Sequence, residues 1–261
     1  GILGTNCDKY LPLGEMASGG DLRLELTLQS NLFAYVPTAA GNALVATYSS
    51  IELECCMVEL QVDSLQQIRQ INGGIYQIHS TSFRNYQYQI ATGNSGLASI
   101  LVPAKFKSVK SLYCSNRPGF NMDTTAQVGC PITGRANGNI TYLQLRIGSL
   151  TMPQKPIACG AGYTEAYTEA LKSLHALSVA NHPTCVNLAM YNAVETFTTS
   201  ANNGFLAGFE LESFANVSDV IMGGTNTLGS NIYIDVTTTA TTTTYYWDTF
   251  AHFDQIVVIN N

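Results

Sequence analysis

Apolar and polar residues alternate one for one in short stretches along most of this chain, and that period confines it to a sheet architecture. In Asp21-Leu22-Arg23-Leu24-Glu25-Leu26-Thr27-Leu28-Gln29 four leucines share one face and polar residues the other, because successive strand side chains point to opposite sides. A second stretch over 50–60 sets Ile51, Leu53, Cys55 and Met57 against Glu52, Glu54, Cys56 and Val58. Tyr142-Leu143-Gln144-Leu145-Arg146-Ile147 alternates again, as do Ile232, Ile234 and Val236 against Tyr233, Asp235 and Thr237. Further strands are expected over 75–80, 86–90, 98–102, 108–115, 204–213, 245–250 and 255–259, separated by clusters of Gly, Asn, Pro and Ser. Thr237 to Thr244 reads as a Thr-rich turn or strand edge, since β-branched Thr favours extended backbone.

Two segments break the period. From Asp63, Ser64 and Gln67 have capping-box spacing, Leu65, Ile68 and Ile71 recur every third residue, and Asn72-Gly73-Gly74 ends the run, so a short helix is expected. A longer helix is expected over 164–179, with Tyr167, Leu171, Leu174 and Ser178 on one stripe and Glu165, Glu169 and Lys172 on another. The segments 116–139 and 181–203 read as long loops, a kind usually functional or exposed in assembly. The sum is an all-β sandwich of two antiparallel sheets with one or two inserted helices and long loops. At 261 residues it fits one domain. Residues 1–20 are expected to be a lead-in linker and residues 21–261 the domain.

Composition says what covers such a sandwich. Charged residues make up only 11% of the chain, against about a quarter in ordinary globular proteins. The surface is therefore built from hydroxyls, amides and tyrosines, which lose less on leaving water than ammonium or carboxylate groups do. A protein largely covered by its neighbours is expected. The net charge of −6 and scattered basic residues argue against a nucleic-acid grip, and the trio Lys105, Lys107 and Lys110 reads as a solvated face. No apolar run reaches the roughly 18 residues of a membrane-crossing helix, and no secretory leader pattern opens the sequence. The start at Gly1-Ile2-Leu3-Gly4, without Met, points to processing or to a piece of a longer polypeptide.

A search for chemistry finds none. His79, His175, His182 and His252 have no metal-ligand spacing, lack the His-x-His of cupin enzymes, and read as surface or turn residues. His182 near Cys185 lacks the third group that would make a nucleophile, and Glu52, Glu54 and Glu59 read as an exposed strand face. Gly19-Gly20, Gly73-Gly74 and Gly223-Gly224 are turn pairs, not phosphate loops. The seven cysteines, Cys7, Cys55, Cys56, Cys114, Cys130, Cys159 and Cys185, form no CxxC and read as reduced buried thiols. Asn139-Ile140-Thr141 and Asn216-Val217-Ser218 match a glycosylation sequon. No catalytic, cofactor-binding or metal-ligating residue is assigned. The 14 tyrosines and Trp247 suit a protein interface better than a carbohydrate platform.

Several segments together resemble a known family. Gly1-Ile2-Leu3-Gly4 through Asp8-Lys9-Tyr10-Leu11-Pro12-Leu13, with the Leu-alternating stretch over 22–28, resembles the passage into the second, C-terminal jelly roll of the double-jelly-roll major capsid proteins of Polinton-like and adintovirus-like DNA viruses. Ser108-Val109-Lys110-Ser111-Leu112-Tyr113, then Tyr142 to Gly148 with Pro153 beyond, look like central features of that domain. Phe209-Glu210-Leu211-Glu212-Ser213-Phe214, Gly223-Gly224-Thr225-Asn226-Thr227 and Phe253-Asp254-Gln255-Ile256-Val257-Val258-Ile259 resemble its final strands.

The resemblance implies a jelly-roll capsid subunit that is not an enzyme and takes no cofactor. It would self-associate, as a trimeric or pseudo-hexameric capsomer, into an icosahedral shell assembled inside the host cell. Its partners would be copies of itself, neighbouring capsid subunits, and minor capsid or penton proteins. The chain holds strands for only one sandwich, so a single-jelly-roll capsid or penton subunit is a variant of this reading. The alternative is a glycan- or receptor-binding sandwich module such as a viral penton or attachment domain.

Overall fold

The computed structural model describes residues 13, 23–27, 49–52, 57–118, 135, 137–159, 164–177, 187–191, 204–213, 222–241 and 244–260. Its elements are α1 (Val62–Ile71), β1 (Ile75–Ile90), β2 (Gly96–Val102), β3 (Val109–Pro118), β4 (Ile140–Ile147), β5 (Leu150–Ala158), α2 (Thr164–Ser173), α3 (Leu188–Tyr191), β6 (Ala207–Glu210), β7 (Ile232–Thr238) and β8 (Tyr245–Asn260). The strands form two four-stranded sheets, ordered β1-β8-β3-β6 and β2-β7-β4-β5, with every pairing antiparallel. The first four strands alternate between the two sheets, and β7 and β8 return to sit centrally in one sheet each. Eight strands wound this way are a jelly roll, the two-sheet sandwich that the period-two pattern predicts and the fold that the resemblance implies.

Burial follows the alternation. β7 runs buried, half-buried, buried along its whole length, placing Ile232, Ile234 and Val236 inside. Leu143, Leu145 and Ile147 of β4 and Ile100 and Val102 of β2 join them. The other sheet sends in Leu112, Cys114, Ala207, Phe209, Tyr245, Trp247 and Ala251. Each large side chain removed from water stabilises by about 1.5–3 kcal/mol. Trp247 donates its indole N–H to Thr249 Oγ1 at 3.1 Å, so its buried ring nitrogen is satisfied.

The segments over 75–80 and 86–90 prove to be one 16-residue strand, and those over 245–250 and 255–259 another. They pair throughout, from Ile75↔Asn260 to Ile90↔Tyr245. β3 accompanies β8 only between Tyr245 and Phe253. β5 was not expected, because Pro153 and Pro156 interrupt its sequence. It lies at the sheet edge, where a strand needs donors on one side only.

Two expected strands are not found among the described residues. Residues 23–27, within the 21–29 stretch, belong to no strand, Leu24 and Leu26 are exposed, and Arg23 pairs with Glu25 in solvent. Residues 50–52 and 57–60, within the 50–60 stretch, likewise belong to no strand and are exposed. Alternation stabilises a strand only beside a partner backbone and under a covering layer. The eight strands between 75 and 260 already close their apolar faces on one another.

α1 appears where expected, but Gln61 precedes it and no side-chain cap forms, so the Ser64/Gln67 box is not used. Its end is a Schellman motif: Gly74 N–H bonds Arg69 O at 3.0 Å and Gly73 takes φ +61°. α2 stops at Ser173, short of the expected 179; its fully buried residues are Ala166, Ala170 and Ser173, while of the expected stripe Tyr167 packs half-buried against the core and Leu174 is exposed. Gly208 explains the difference. A Cβ there would overlap Ser173 Oγ and come within 3.0 Å of the Ala170 Cα, so the helix approaches β6 by its smallest side chains. Of the expected long loops, 119–134, 136, 181–186 and 192–203 lie outside the described residues.

Candidate assembly surfaces and a buried polar cluster

The outer face of the β2-β7-β4-β5 sheet carries the odd residues of β2 and β7 and the even residues of β4. At its middle Arg146 grips Asp235, with Nη2 to Oδ1 at 3.0 Å, Nη2 to Ser99 Oγ at 2.8 Å, and its guanidinium carbon 5.0 Å from the centre of the Tyr233 ring. Ser99 Oγ also donates to Asp235 Oδ1. The Arg146 bond holds the Asp235 carboxyl below its ordinary range. A bidentate pair satisfied within one subunit leaves no unpaired charge when a neighbour covers it. Around it Leu97, Leu101 and Tyr142 stand exposed at 65%, 49% and 50%. A shallow trough between Leu97, Tyr142, Gln144, Pro156 and Thr237 crosses this face.

On the first sheet the projecting half of the β1–β8 ribbon exposes Ile75, Ile256 and Val258. Phe83 and Tyr88 are also exposed on β1. Asp248, buried, accepts from Gln87 Nε2 at 3.0 Å and pairs with Arg117. Scattered apolar residues on a surface are ordinary. Here they recur on both flanks of a sandwich that has few charges to keep it apart from others.

A second feature lies where β3, β6, β8 and the end of α2 meet. Lys110, expected on a solvated face, is mostly buried: Nζ lies 2.9 Å from Glu212 Oε1 and 3.9 Å from Asp254 Oδ1. Lys105 and Lys107 remain exposed, with Lys105 bonded to Asn231 Oδ1 at 2.9 Å. Ser108 Oγ donates to Asp254 Oδ2 and accepts the Gly224 N–H at 3.0 Å. A Cβ on Gly224 would strike the Val109 carbonyl, so that glycine permits the close backbone approach. Glu210 Oε1 accepts the Glu212 N–H at 3.1 Å. His175, just past α2 with φ +55°, places Nδ1 3.6 Å from Glu210 Oε2 and Nε2 3.6 Å from Glu212 Oε2. Burial pushes the Glu210 carboxyl up.

His252 is neither a turn nor a surface residue. It sits mid-strand in β8, stacked on Phe83 at 4.5 Å with Nδ1 3.2 Å from Ser111 Oγ. Burial, then the positive charge of Lys110, pushes its pKa down to about 4. His79 lies half-buried in β1, and His182 and Cys185 are outside the described residues. Glu52 and Glu59 are exposed as expected, while Glu54 is not described. Cys114 and Cys159 are buried free thiols pushed up to about 12 by burial. Asn139 of the first sequon is exposed and bonds Ala240 O at 3.2 Å. The Thr-rich stretch ties loops together within the chain, as when Thr241 Oγ1 donates to Ala91 O at 3.0 Å.

The cluster of Lys110, His175, Glu210, Glu212 and Asp254 escaped the sequence reading because its members come from four elements. Only Glu210-Leu211-Glu212 held a signal, two carboxylates on one side of a strand end. No protein-family model and no curated protein matches the sequence. Among solved structures the chain is similar to the Faustovirus major capsid protein, with TM-score 0.46 and 9% identity over 76% of this chain and 36% of that one. It is also similar to PBCV-1 VP54 fitted into a reconstruction of the virophage Sputnik, with TM-score 0.45 and 10% identity over 77% of this chain and 52% of that one. The chain thus matches about a third to a half of those chains' lengths. No helix among the described residues is long and apolar enough to cross a membrane.

Proposed function

We propose that this chain is a structural subunit of a viral capsid, working by self-association and performing no chemistry of its own. The observation that carries this reading is the outer face of the β2-β7-β4-β5 sheet, where Leu97, Leu101 and Tyr142 surround a self-satisfied Arg146–Asp235 pair. Jelly rolls serve as capsid proteins, lectins and cupins, and fold alone does not choose among them. A cupin holds its metal between the sheets. Here that space is filled by Ile100, Leu143, Leu145, Ile232, Ile234 and Trp247. The low charge content and apolar flanks favour broad protein contact, of the kind that in permanent assemblies buries about 2,000 Å² or more. Subunits would meet flank to flank around a threefold axis and tile a shell within the virion, assembled inside the host cell.

Light scattering and electron microscopy of the purified chain test the proposal. Trimers or shells are expected at micromolar concentration. Leu101→Glu, at an exposed site where a substitution changes folding stability by about 0.5 kcal/mol or less, is expected to give folded monomers. A wild-type chain that stays monomeric at that concentration removes the basis for the reading.

A further inference from the structure

The cluster beside α2 has the makings of a cation site that no spacing in the sequence announces. His175, Glu210 and Glu212 bring one nitrogen and two carboxylate oxygens within 4.8 Å of one another. Each carboxylate is already fixed by one oxygen: Lys110 holds Glu212 Oε1 at 2.9 Å, and the Glu212 N–H holds Glu210 Oε1 at 3.1 Å. Each turns its other oxygen towards the imidazole. Glu210 Oε2 is buried without a hydrogen-bond partner, an arrangement that leaves a charged acceptor desolvated unless something else meets it. The Glu212 side chain is only 4% exposed. Asp254, which bonds Ser108, completes the local charge: three carboxylates face the single ammonium of Lys110, and a divalent cation neutralises the remainder. His175 is held in the left-handed region at φ +55°, a conformation uncommon outside glycine and concentrated at functional positions.

We propose that His175, Glu210 and Glu212 bind one divalent transition-metal ion of the Zn²⁺ class, tying the turn after α2 to the end of β6. One imidazole and two carboxylates suit Zn²⁺ or Co²⁺ better than Mg²⁺, which prefers oxygen ligands and keeps its waters. Lys110 and the Glu212 amide act as outer supports that orient the ligating oxygens. The ion has a structural role, fastening a helix that otherwise rests on small side chains.

Titration of the full chain with Co²⁺, followed by its visible absorption, and with Zn²⁺ by calorimetry tests this. One ion per chain is expected, with a visible band that Zn²⁺ abolishes and a rise in the unfolding midpoint that Mg²⁺ does not reproduce. His175→Ala and Glu210→Gln should each weaken binding at least tenfold. Lys110→Met should weaken it about 10–100-fold, the range for outer-sphere partners. Glu210→Gln preserves side-chain volume and so keeps the test open where His175→Ala fails to fold. The proposal is overturned by a chain that binds no ion, or by binding that persists unchanged in Glu210→Gln and His175→Ala, which would place the ion on the cysteines or elsewhere.

Discussion

Gly208→Ala tests the seat of α2 most directly. The new methyl would overlap Ser173 Oγ, lie 2.9 Å from Ser173 Cβ, and come within 3.0 Å of the Ala170 Cα. The hydroxyl can rotate away, but the helix backbone cannot yield without lifting α2 from β6. Overpacking of this kind costs about 1–3 kcal/mol. Lifting the helix also weakens the bond that Tyr113 Oη donates to Ser173 O at 2.8 Å, itself worth about 1 kcal/mol. We expect a total loss of about 2–4 kcal/mol. Urea unfolding followed by tryptophan fluorescence is a suitable assay, because Trp247 is fully buried. Ser173→Ala removes the overlapping oxygen but leaves the backbone contact, so Gly208→Ala should cost less in that background, by about 0.5–1.5 kcal/mol. A Gly208→Ala variant within about 0.5 kcal/mol of wild type would show that the helix does not rest on β6 through this glycine.

Two further outcomes follow from burial. His252 has a folded pKa of about 4 against an ordinary 6.5, so the unfolded chain takes up the proton first and stability falls as pH drops from about 6.5 towards 4. The ring keeps partial contact with solvent, and after allowing for screening the loss is about 1–2 kcal/mol. His252→Gln should flatten that limb of a stability–pH curve measured in metal-free buffer, and an unaltered limb would assign it to other groups. Ile234→Ala, at a fully buried site in the centre of β7, should cost about 2–5 kcal/mol by chemical unfolding. A cost below about 1 kcal/mol would mean that the space between the sheets is not packed as described.

Sequence alone was enough to establish the sheet class and most of the strands that make it. β4 and β7 alternate so regularly that only one face of each could be buried, and Ile234 and Leu145 lie where the pattern puts them. The same pattern runs over 21–29 and the first half of 50–60, and there the described residues have no partner strand. Alternation states which face a strand would bury, whereas the existence of a ladder depends on a second backbone that local sequence cannot specify. The joining of four short segments into β1 and β8 likewise depended on their mutual pairing over 16 residues. α2 was legible as a helix, yet its buried face was not, because Gly208, 35 residues beyond Ser173, decides which side chains can approach. The charged cluster is the fullest case. Lys110, His175, Glu210, Glu212 and Asp254 are ordinary solvated residues in sequence, and only the crossing of β3, β6, β8 and the end of α2 removes water from them and sets their charges against one another.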